Sequence, residues 1–182
     1  LGHEGTGNVM EIGEGVSKVK KDDKVVLSWI KSKGIDAGGA QYKLNNKIVN
    51  AGAVTTLQQY AVVSENRLST QPKELDDISA VLLGCAAPTG MGSIYNILKL
   101  NKKSKIIIFG AGGIGLCACL ACKNSHPEEI LFIEPNKKRR DLAIEFGANR
   151  ALDPNTKEFL KIFKDELFEK YDFAIEASGK LG

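Results

Sequence analysis

A glycine-rich turn between a buried strand and a helix constrains the fold of this 182-residue chain more than any other feature. The apolar run Lys105–Phe109 predicts a buried strand, and the sequence Gly110-Ala111-Gly112-Gly113-Ile114-Gly115 follows it directly, before an apolar helical stretch. This is the G-x-G-x-x-G pattern in its strand–turn–helix context. The three motif glycines are expected to allow a tight turn, a close ligand approach and close helix–strand packing, in that order. The pattern predicts a dinucleotide whose pyrophosphate lies on the helix N-terminus.

An acidic residue at the end of the next predicted strand, 130–133, supports this interpretation. Glu134 comes about 20 positions after Gly115, where a carboxylate accepts hydrogen bonds from ribose hydroxyls and repels a 2′-phosphate. It predicts NAD rather than NADP, and the alternative is a surface carboxylate at a strand end. The basic run 137–140, with Arg139 as its candidate cofactor contact, keeps NADP open. The structural alternative for that run is a solvated first helical turn.

Strands and helices alternate over the second half of the chain. Such alternation predicts a doubly wound parallel sheet with right-handed crossovers. The predicted helices are 78–83, 89–100, 115–123, Lys137–Phe146 and 156–168, and the predicted strands are Lys105–Phe109, 130–133, 150–153 and Phe173–Glu176.

The first part of the chain has a different pattern of apolar and polar residues. Glycine-interrupted alternation over 8–30 predicts short strands of a small β-barrel. Residues 31–56 are predicted to be a long loop or lobe, and 58–63 is predicted to be a further strand. The fold class is therefore α/β, with a partial β-barrel domain over 1–85 and a partial doubly wound domain over 86–182. Because the chain starts without methionine and stops after a strand, we expect a fragment of a longer protein.

Composition and charge exclude several partners. The net charge of +3 and the absence of a basic run interleaved with aromatic residues argue against nucleic acid. The uncharged stretches 78–98 and 106–122 carry glycine or polar residues and predict buried strand and helix rather than a membrane span. Residues 1–20 contain charges of both signs and no apolar core, so we expect no signal peptide. Three of the four cysteines crowd into six residues, which is unlike a disulfide framework, and we therefore expect a cytoplasmic location.

A second motif opens the chain. Gly2-His3-Glu4 continues through Gly7, Gly13 and Val16 as G-H-E-x-x-G-x(5)-G-x(2)-V. This pattern resembles the zinc signature of the medium-chain dehydrogenase/reductase superfamily, the zinc alcohol dehydrogenases. The segment 84–90, which contains Cys85, is similar to the segment with a further zinc ligand, and the glycine loop lies at the family's distance downstream. The resemblance covers essentially the whole chain and implies a GroES-like catalytic domain before a Rossmann domain.

The resemblance implies a role for each matching position. His3 and Cys85 would be ligands of one catalytic zinc ion, and Glu4 would lie beside the metal site. The family's first zinc-ligand cysteine would precede residue 1. The chain has no cysteine between residues 1 and 84, and we therefore expect no structural zinc.

Further residues would face the cofactor and the substrate. Thr89 would lie beside the nicotinamide ring, and Ile114 would pack against its face. Trp29, the only tryptophan, would line the substrate pocket, and the alternative is that it covers the barrel end as core. The motif Cys117-x-Cys119-x-x-Cys122 is predicted to be helix core rather than a metal cluster.

The implied function is hydride transfer between a small-molecule alcohol and NAD(P), giving an aldehyde or ketone. The full-length protein would be a homo-oligomer, and the 182-residue chain alone would be inactive. Two alternatives stay open. A zinc-free reductase of the quinone oxidoreductase type is opposed by the presence of both His3 and Cys85. A non-catalytic dinucleotide-binding fragment is favoured by the missing first ligand.

Overall fold

The computed structural model describes residues 1–165 and 170–180, and it divides the chain into two units, Leu1–Cys85 and Ala86–Gly182. The first unit contains a three-stranded antiparallel sheet of strands β1 (Gly5–Asn8), β2 (Lys24–Leu27) and β5 (Leu68–Thr70), in the order β1-β2-β5. Its small core consists of valine and leucine side chains, namely Val9, Val19, Val25, Leu27 and Val54.

The segment 31–56, predicted to be a loop or lobe, contains a β-hairpin, so this prediction is wrong in part. Strands β3 (Ala40–Leu44) and β4 (Lys47–Gly52) pair antiparallel through a two-residue turn. Asn45 and Asn46 both have positive φ, at 46° and 64°. Asparagine tolerates this left-handed conformation, and a turn of this kind matches the twist of the paired strands.

The strand predicted over 58–63 does not form among the described residues. Its apolar side chains Tyr60 and Val62 are exposed and do not pack on a core. The predicted short helix is present. Helix α1 (Asp77–Val81) is capped by Asp76, whose side chain accepts a hydrogen bond from the N–H of Ser79 at 2.8 Å. A 3₁₀ turn, Leu82–Gly84, then ends the unit just before Cys85.

The second unit is built on a parallel sheet. Helix α2 (Ala86–Gly92) continues into a π-helical turn, Ser93–Leu98. The remaining elements follow in the predicted order: β6 (Lys105–Phe109), α3 (Gly113–Ser125), β7 (Glu129–Ile133), α4 (Lys137–Phe146), β8 (Arg150–Leu152), α5 (Lys157–Asp165) and β9 (Phe173–Glu176). The sheet order is β8-β7-β6-β9, and every pair is parallel. Residues 166–168 of the predicted helix 156–168 lie outside the described residues.

Both faces of this sheet are covered. Ile106 and Ile108 of β6 pack in the core that also contains α3, whereas Ile107 packs with Phe159 of α5 on the other face. The period of two along the strand explains the division, because successive side chains point to opposite faces. The predicted doubly wound α/β architecture is confirmed.

The three clustered cysteines of α3 are core residues. Cys119 and Cys122 are fully buried in the core that lies between α3 and the sheet. Burial raises the pKa of the Cys119 thiol to about 11 and that of Cys122 to about 12. Within the described residues, no single helix is long and apolar enough to cross a membrane, although the interrupted pair 77–84 and 86–98 passes that test together.

Candidate functional site

In the sheet of the second unit, the order in which the chain adds strands reverses at β6. From β6 the chain proceeds outward to β7 and β8, and it then returns to place β9 on the opposite side of β6. The glycine loop follows the carboxyl end of β6 and therefore lies at this switch point. In open α/β sheets, ligands bind in the crevice at such a point.

Each motif glycine occupies a distinct environment. Gly110 has a φ of +92°, and a Cβ there would lie 2.7 Å from Cα of Ser178, just after β9. A Cβ on Gly115 would overlap the carbonyl oxygen of Gly110, so α3 begins in direct contact with the turn. Around Gly112, in contrast, a Cβ would meet no atom within 4 Å. The loop is thus closed on its protein side and open where a ligand would approach.

The carboxylate of Glu134 reaches back to this loop. The side chain is only 4% exposed, which does not fit the surface-carboxylate alternative. Its Oε2 accepts a hydrogen bond from the N–H of Ala111 at 2.9 Å, and its Oε1 accepts one from the N–H of Asn136 at 2.9 Å. A hydrogen bond therefore joins Glu134 and the glycine loop into one site.

The two arginines that follow Glu134 behave differently. Arg139 is exposed in the first turn of α4, and its N–H donates to the capping side chain of Asn136. Arg140 donates to the carbonyl oxygens of Glu134 and Pro135 at 2.8 and 2.7 Å and forms an ion pair with Asp153 at 3.1 Å. Sequence analysis singled out Arg139 and missed Arg140, whose partners are mostly main-chain oxygens that no motif records.

Close packing of α2 on α3 sets the surroundings of the loop. A Cβ on Gly90 would lie 2.8 Å from the N–H nitrogen of Ala118 and would overlap the carbonyl oxygen of Ile114. A Cβ on Gly113 would lie 3.7 Å from Cβ of Ala86. Thr89, next to Gly90, and the Ile114 side chain are both exposed at this end of the unit.

In the first unit, three segments distant in sequence converge. The main-chain N–H of Trp29 donates to the carbonyl oxygen of Gly84 at 3.2 Å, immediately before Cys85. A Cβ on Gly84 would lie 3.6 Å from Cα of Glu4. The imidazole of His3 meets the Trp29 indole edge to face, with 6.0 Å between ring centroids. The segments carrying His3, Trp29 and Cys85 are thus held together.

Trp29 has a second neighbour that sequence analysis missed. The guanidinium carbon of Arg67 lies 5.6 Å from the centroid of the Trp29 ring, and Arg67 also donates a hydrogen bond to the Trp29 carbonyl oxygen. Stacking of a cation on an indole stabilises both side chains. The indole is 52% exposed, so it is held at the surface rather than buried as core.

The donor types of this region suit zinc in part. Imidazole and thiolate are ordinary zinc ligands, and His3 and Cys85 supply one of each. A catalytic zinc ion needs three protein ligands, and the described part of the chain contains no group of three histidine, cysteine, aspartate or glutamate side chains able to hold a metal. These residues therefore fit as part of a zinc-binding set.

Most of the first unit matches a known protein family. The family profile described as the alcohol dehydrogenase GroES-like domain matches residues 1–73. Among curated proteins, S-(hydroxymethyl)glutathione dehydrogenase of Escherichia coli strain SMS-3-5 is 29% identical over 201 residues, covering 97% of this chain and 54% of that protein. The chain thus spans about half the length of the curated relatives it matches.

Solved structures agree with this over both units. The zinc-dependent alcohol dehydrogenase 2 of Streptococcus pneumonia, in its apo form, superposes with a TM-score of 0.77 at 29% identity, covering 98% of this chain and 53% of the other. Benzyl alcohol dehydrogenase of Acinetobacter calcoaceticus gives a TM-score of 0.79 at 27% identity, with coverages of 99% and 55%.

Proposed function

We propose that this chain is part of an enzyme that transfers a hydride between an alcohol and a nicotinamide cofactor. The support is the match of residues 1–73 to the alcohol dehydrogenase GroES-like domain and the similarity of nearly the whole chain to zinc-dependent alcohol dehydrogenases, which belong to the medium-chain superfamily. The alcohol is a small molecule, and the product is an aldehyde or a ketone.

The main support for the proposal is the site at the sheet's switch point, where the glycine loop and Glu134 are joined by a hydrogen bond. The open space at Gly112 suits a pyrophosphate at the start of α3, where main-chain N–H groups and the helix dipole favour an anion. The buried carboxylate of Glu134 lies beside that loop and suits the hydroxyls of an adenosine ribose. The same negative charge disfavours a 2′-phosphate, which supports NAD over NADP.

Roles for the other cofactor contacts follow from their positions. Thr89 is an exposed residue in the middle of α2, and Ile114 is exposed in the first turn of α3. We assign both to the nicotinamide ring. Gly110, Gly113 and Gly115 shape the loop, and Arg139 contributes positive charge at the start of α4.

His3 and Cys85 are assigned as two of the ligands of one catalytic zinc ion, with Glu4 acting from beside the site. When bound, zinc polarises the alcohol oxygen and lowers its pKa, which favours departure of the hydride. Residues of this chain would orient the imidazole, since Trp29 lies edge to face with the His3 ring and Arg67 lies over the indole. Trp29 is also assigned to the wall that contacts the alcohol.

The setting of the enzyme completes the proposal. We assign it to the cytoplasm and to a homo-oligomer, with no nucleic acid or membrane partner. The cytoplasmic assignment rests on the cysteine spacing, because three of the four cysteines crowd into residues 117–122, a pattern unlike a disulfide framework.

The test is NADH formation by the complete natural protein with a panel of primary and secondary alcohols, together with its zinc content. We expect alcohol-dependent NADH formation with NAD favoured over NADP. His3→Ala and Cys85→Ala should each reduce both kcat/KM and bound zinc. The matched controls are His126→Asn, because asparagine tolerates the left-handed backbone at that exposed histidine, and Cys117→Ala.

The outcomes separate the alternatives. Cofactor-dependent reduction of quinones without bound zinc would replace the proposal with a zinc-free reductase. Cofactor binding without turnover of any substrate would make the protein a non-catalytic binder.

A further inference from the structure

We propose that Glu134, assigned above to the ribose, is also the positioning residue of the glycine loop, so that one buried carboxylate holds the pyrophosphate-binding turn in shape. The ribose contact of Glu134 rests on the proposed function. The hold on the loop concerns the protein without cofactor, and the argument for it uses contacts within the second unit only.

The first step is the hydrogen bond between the loop and the carboxylate. Ala111 is the residue between the first two motif glycines, and it is buried. Its N–H donates to Oε2 of Glu134 at 2.9 Å across 23 sequence positions. A buried N–H group needs an acceptor, and here the acceptor is a charged oxygen, which makes a stronger bond than a neutral one.

The second step is that the carboxylate is itself held. Oε1 accepts from the N–H of Asn136 at 2.9 Å, and the main-chain oxygen of Glu134 accepts from the Arg140 guanidinium at 2.8 Å. Arg140 is anchored in turn by its ion pair with Asp153. The carboxylate therefore links the turn after β6 to the turn after β7, to which Glu134 and Asn136 both belong.

The third step concerns what remains for a ligand. Each carboxylate oxygen has two lone-pair directions, and the main-chain bonds use one on each oxygen. A ribose hydroxyl would therefore not compete with the loop N–H for the same lone pair. Substitution of Glu134 consequently has two effects: it removes the charge that opposes a 2′-phosphate, and it frees the loop that binds the pyrophosphate common to NAD and NADP.

Amide hydrogen exchange of the protein without cofactor tests whether Glu134 holds the loop. In Glu134→Met, exchange at Ala111 should be about tenfold faster or more, because a charge-assisted hydrogen bond is lost. In Glu134→Gln the carboxamide keeps one acceptor oxygen, so exchange should rise at one or both of Ala111 and Asn136. Glu145→Gln, at an exposed position of α4, is the matched control and should leave both amides unchanged.

Two probes then separate the loop from the ribose. Inorganic pyrophosphate reports on the loop, and adenosine reports on the ribose contact. Loss of a negative charge alone would strengthen pyrophosphate binding, whereas release of the loop weakens it, and we expect weaker binding in Glu134→Met than in the control.

The exchange and pyrophosphate results test the hold on the loop, and cofactor binding by the wild type tests the proposed function. Unchanged exchange at both amides in both variants, or tighter pyrophosphate binding in Glu134→Met, overturns the inference; if the methionine variant does not fold, the glutamine variant decides. A wild-type protein that binds neither NAD nor adenosine contradicts the proposed function and leaves the exchange result standing.

Discussion

The carbonyl oxygen of Gly110 lies against Cα of Gly115 so closely that a Cβ on Gly115 would overlap it. Three positions earlier in the chain, a Cβ on Gly112 would meet no atom within 4 Å, and the φ of −87° there is one that any residue adopts. The two glycines thus have different reasons to lack a side chain, and the same substitution should separate them.

Gly115→Ala should destabilise the protein, and Gly112→Ala should not. Forcing a methyl group into the contact with Gly110 costs about 1–3 kcal/mol, as in other overpacked sites. Gly112→Ala should keep the free energy of unfolding within about 0.5 kcal/mol and weaken NAD binding about tenfold, because the methyl group occupies the ligand's approach. Urea unfolding and NAD titration measure the two effects. Equal losses of stability in the two variants would contradict the assignment.

Glu65 should make the stability of the first unit depend on pH. Its buried carboxylate accepts hydrogen bonds from the N–H groups of Ser17, Lys18 and Ile35 at 2.6–2.7 Å. These bonds, with that from Ile35 first, hold the pKa of Glu65 below its ordinary value of 4.5. The stabilisation is therefore fully present above pH 4.5 and is lost as the pH falls through the lowered pKa.

The measurement for Glu65 is the thermal midpoint of wild type and Glu65→Gln between pH 7 and pH 3. The glutamine variant should melt at a lower temperature at pH 7, and the difference should narrow as the pH falls. Glu74→Gln, at an exposed position, is the control for general charge effects. A difference that stays constant with pH would mean that ionised Glu65 is not what ties these segments together.

Cys119 and Cys122 should be unreactive in the native protein. Thiolates are the reactive form, and burial has raised the pKa of the two thiols to about 11 and about 12. At pH 8 the thiolate fraction of Cys119 is about one in a thousand. Mass spectrometry after treatment with iodoacetamide should find both residues unmodified until urea unfolds the second unit. Native labelling at the unfolded rate would contradict their placement in the core.

Trp29 should limit the length of the alcohol if it contacts the substrate. Trp29→Ala in the complete enzyme should shift kcat/KM from short toward longer or branched alcohols, because each methylene that a pocket admits or rejects is worth about 1–3 kcal/mol. Trp29→Phe removes less volume and should shift the profile less. An unchanged chain-length profile with intact activity would remove Trp29 from the substrate wall.

Elements that place apolar side chains against a core were predictable from the sequence. Strand Lys105–Phe109, helix Lys137–Phe146 and strand Phe173–Glu176 were predicted with the bounds that the structure gives. Their apolar residues meet a core, and glycine or asparagine marks several of their ends. In such segments, periodicity and end signals agree.

Exposed elements and main-chain contacts were not predictable in the same way. The hairpin β3–β4 carries Leu44 and Ile48 in exposed positions, so its sequence lacks the alternation of a half-buried strand, and only Asn45-Asn46 signalled a turn. At the site, the sequence indicated Glu134 as a ribose contact. It contained no sign of the bonds to Ala111 or of the anchoring by Arg140, because these partners are main-chain atoms brought close by the fold.

The most direct test of hydride transfer uses an alcohol deuterated at the carbinol carbon, incubated with NAD and the complete protein. The account predicts that the reduced cofactor carries one deuterium at C4 of the nicotinamide ring, as found by mass spectrometry and NMR, and that Gly112→Ala lowers the yield through weaker cofactor binding. Reduced cofactor without deuterium, or none formed with any alcohol by a protein shown to carry its zinc, would contradict it.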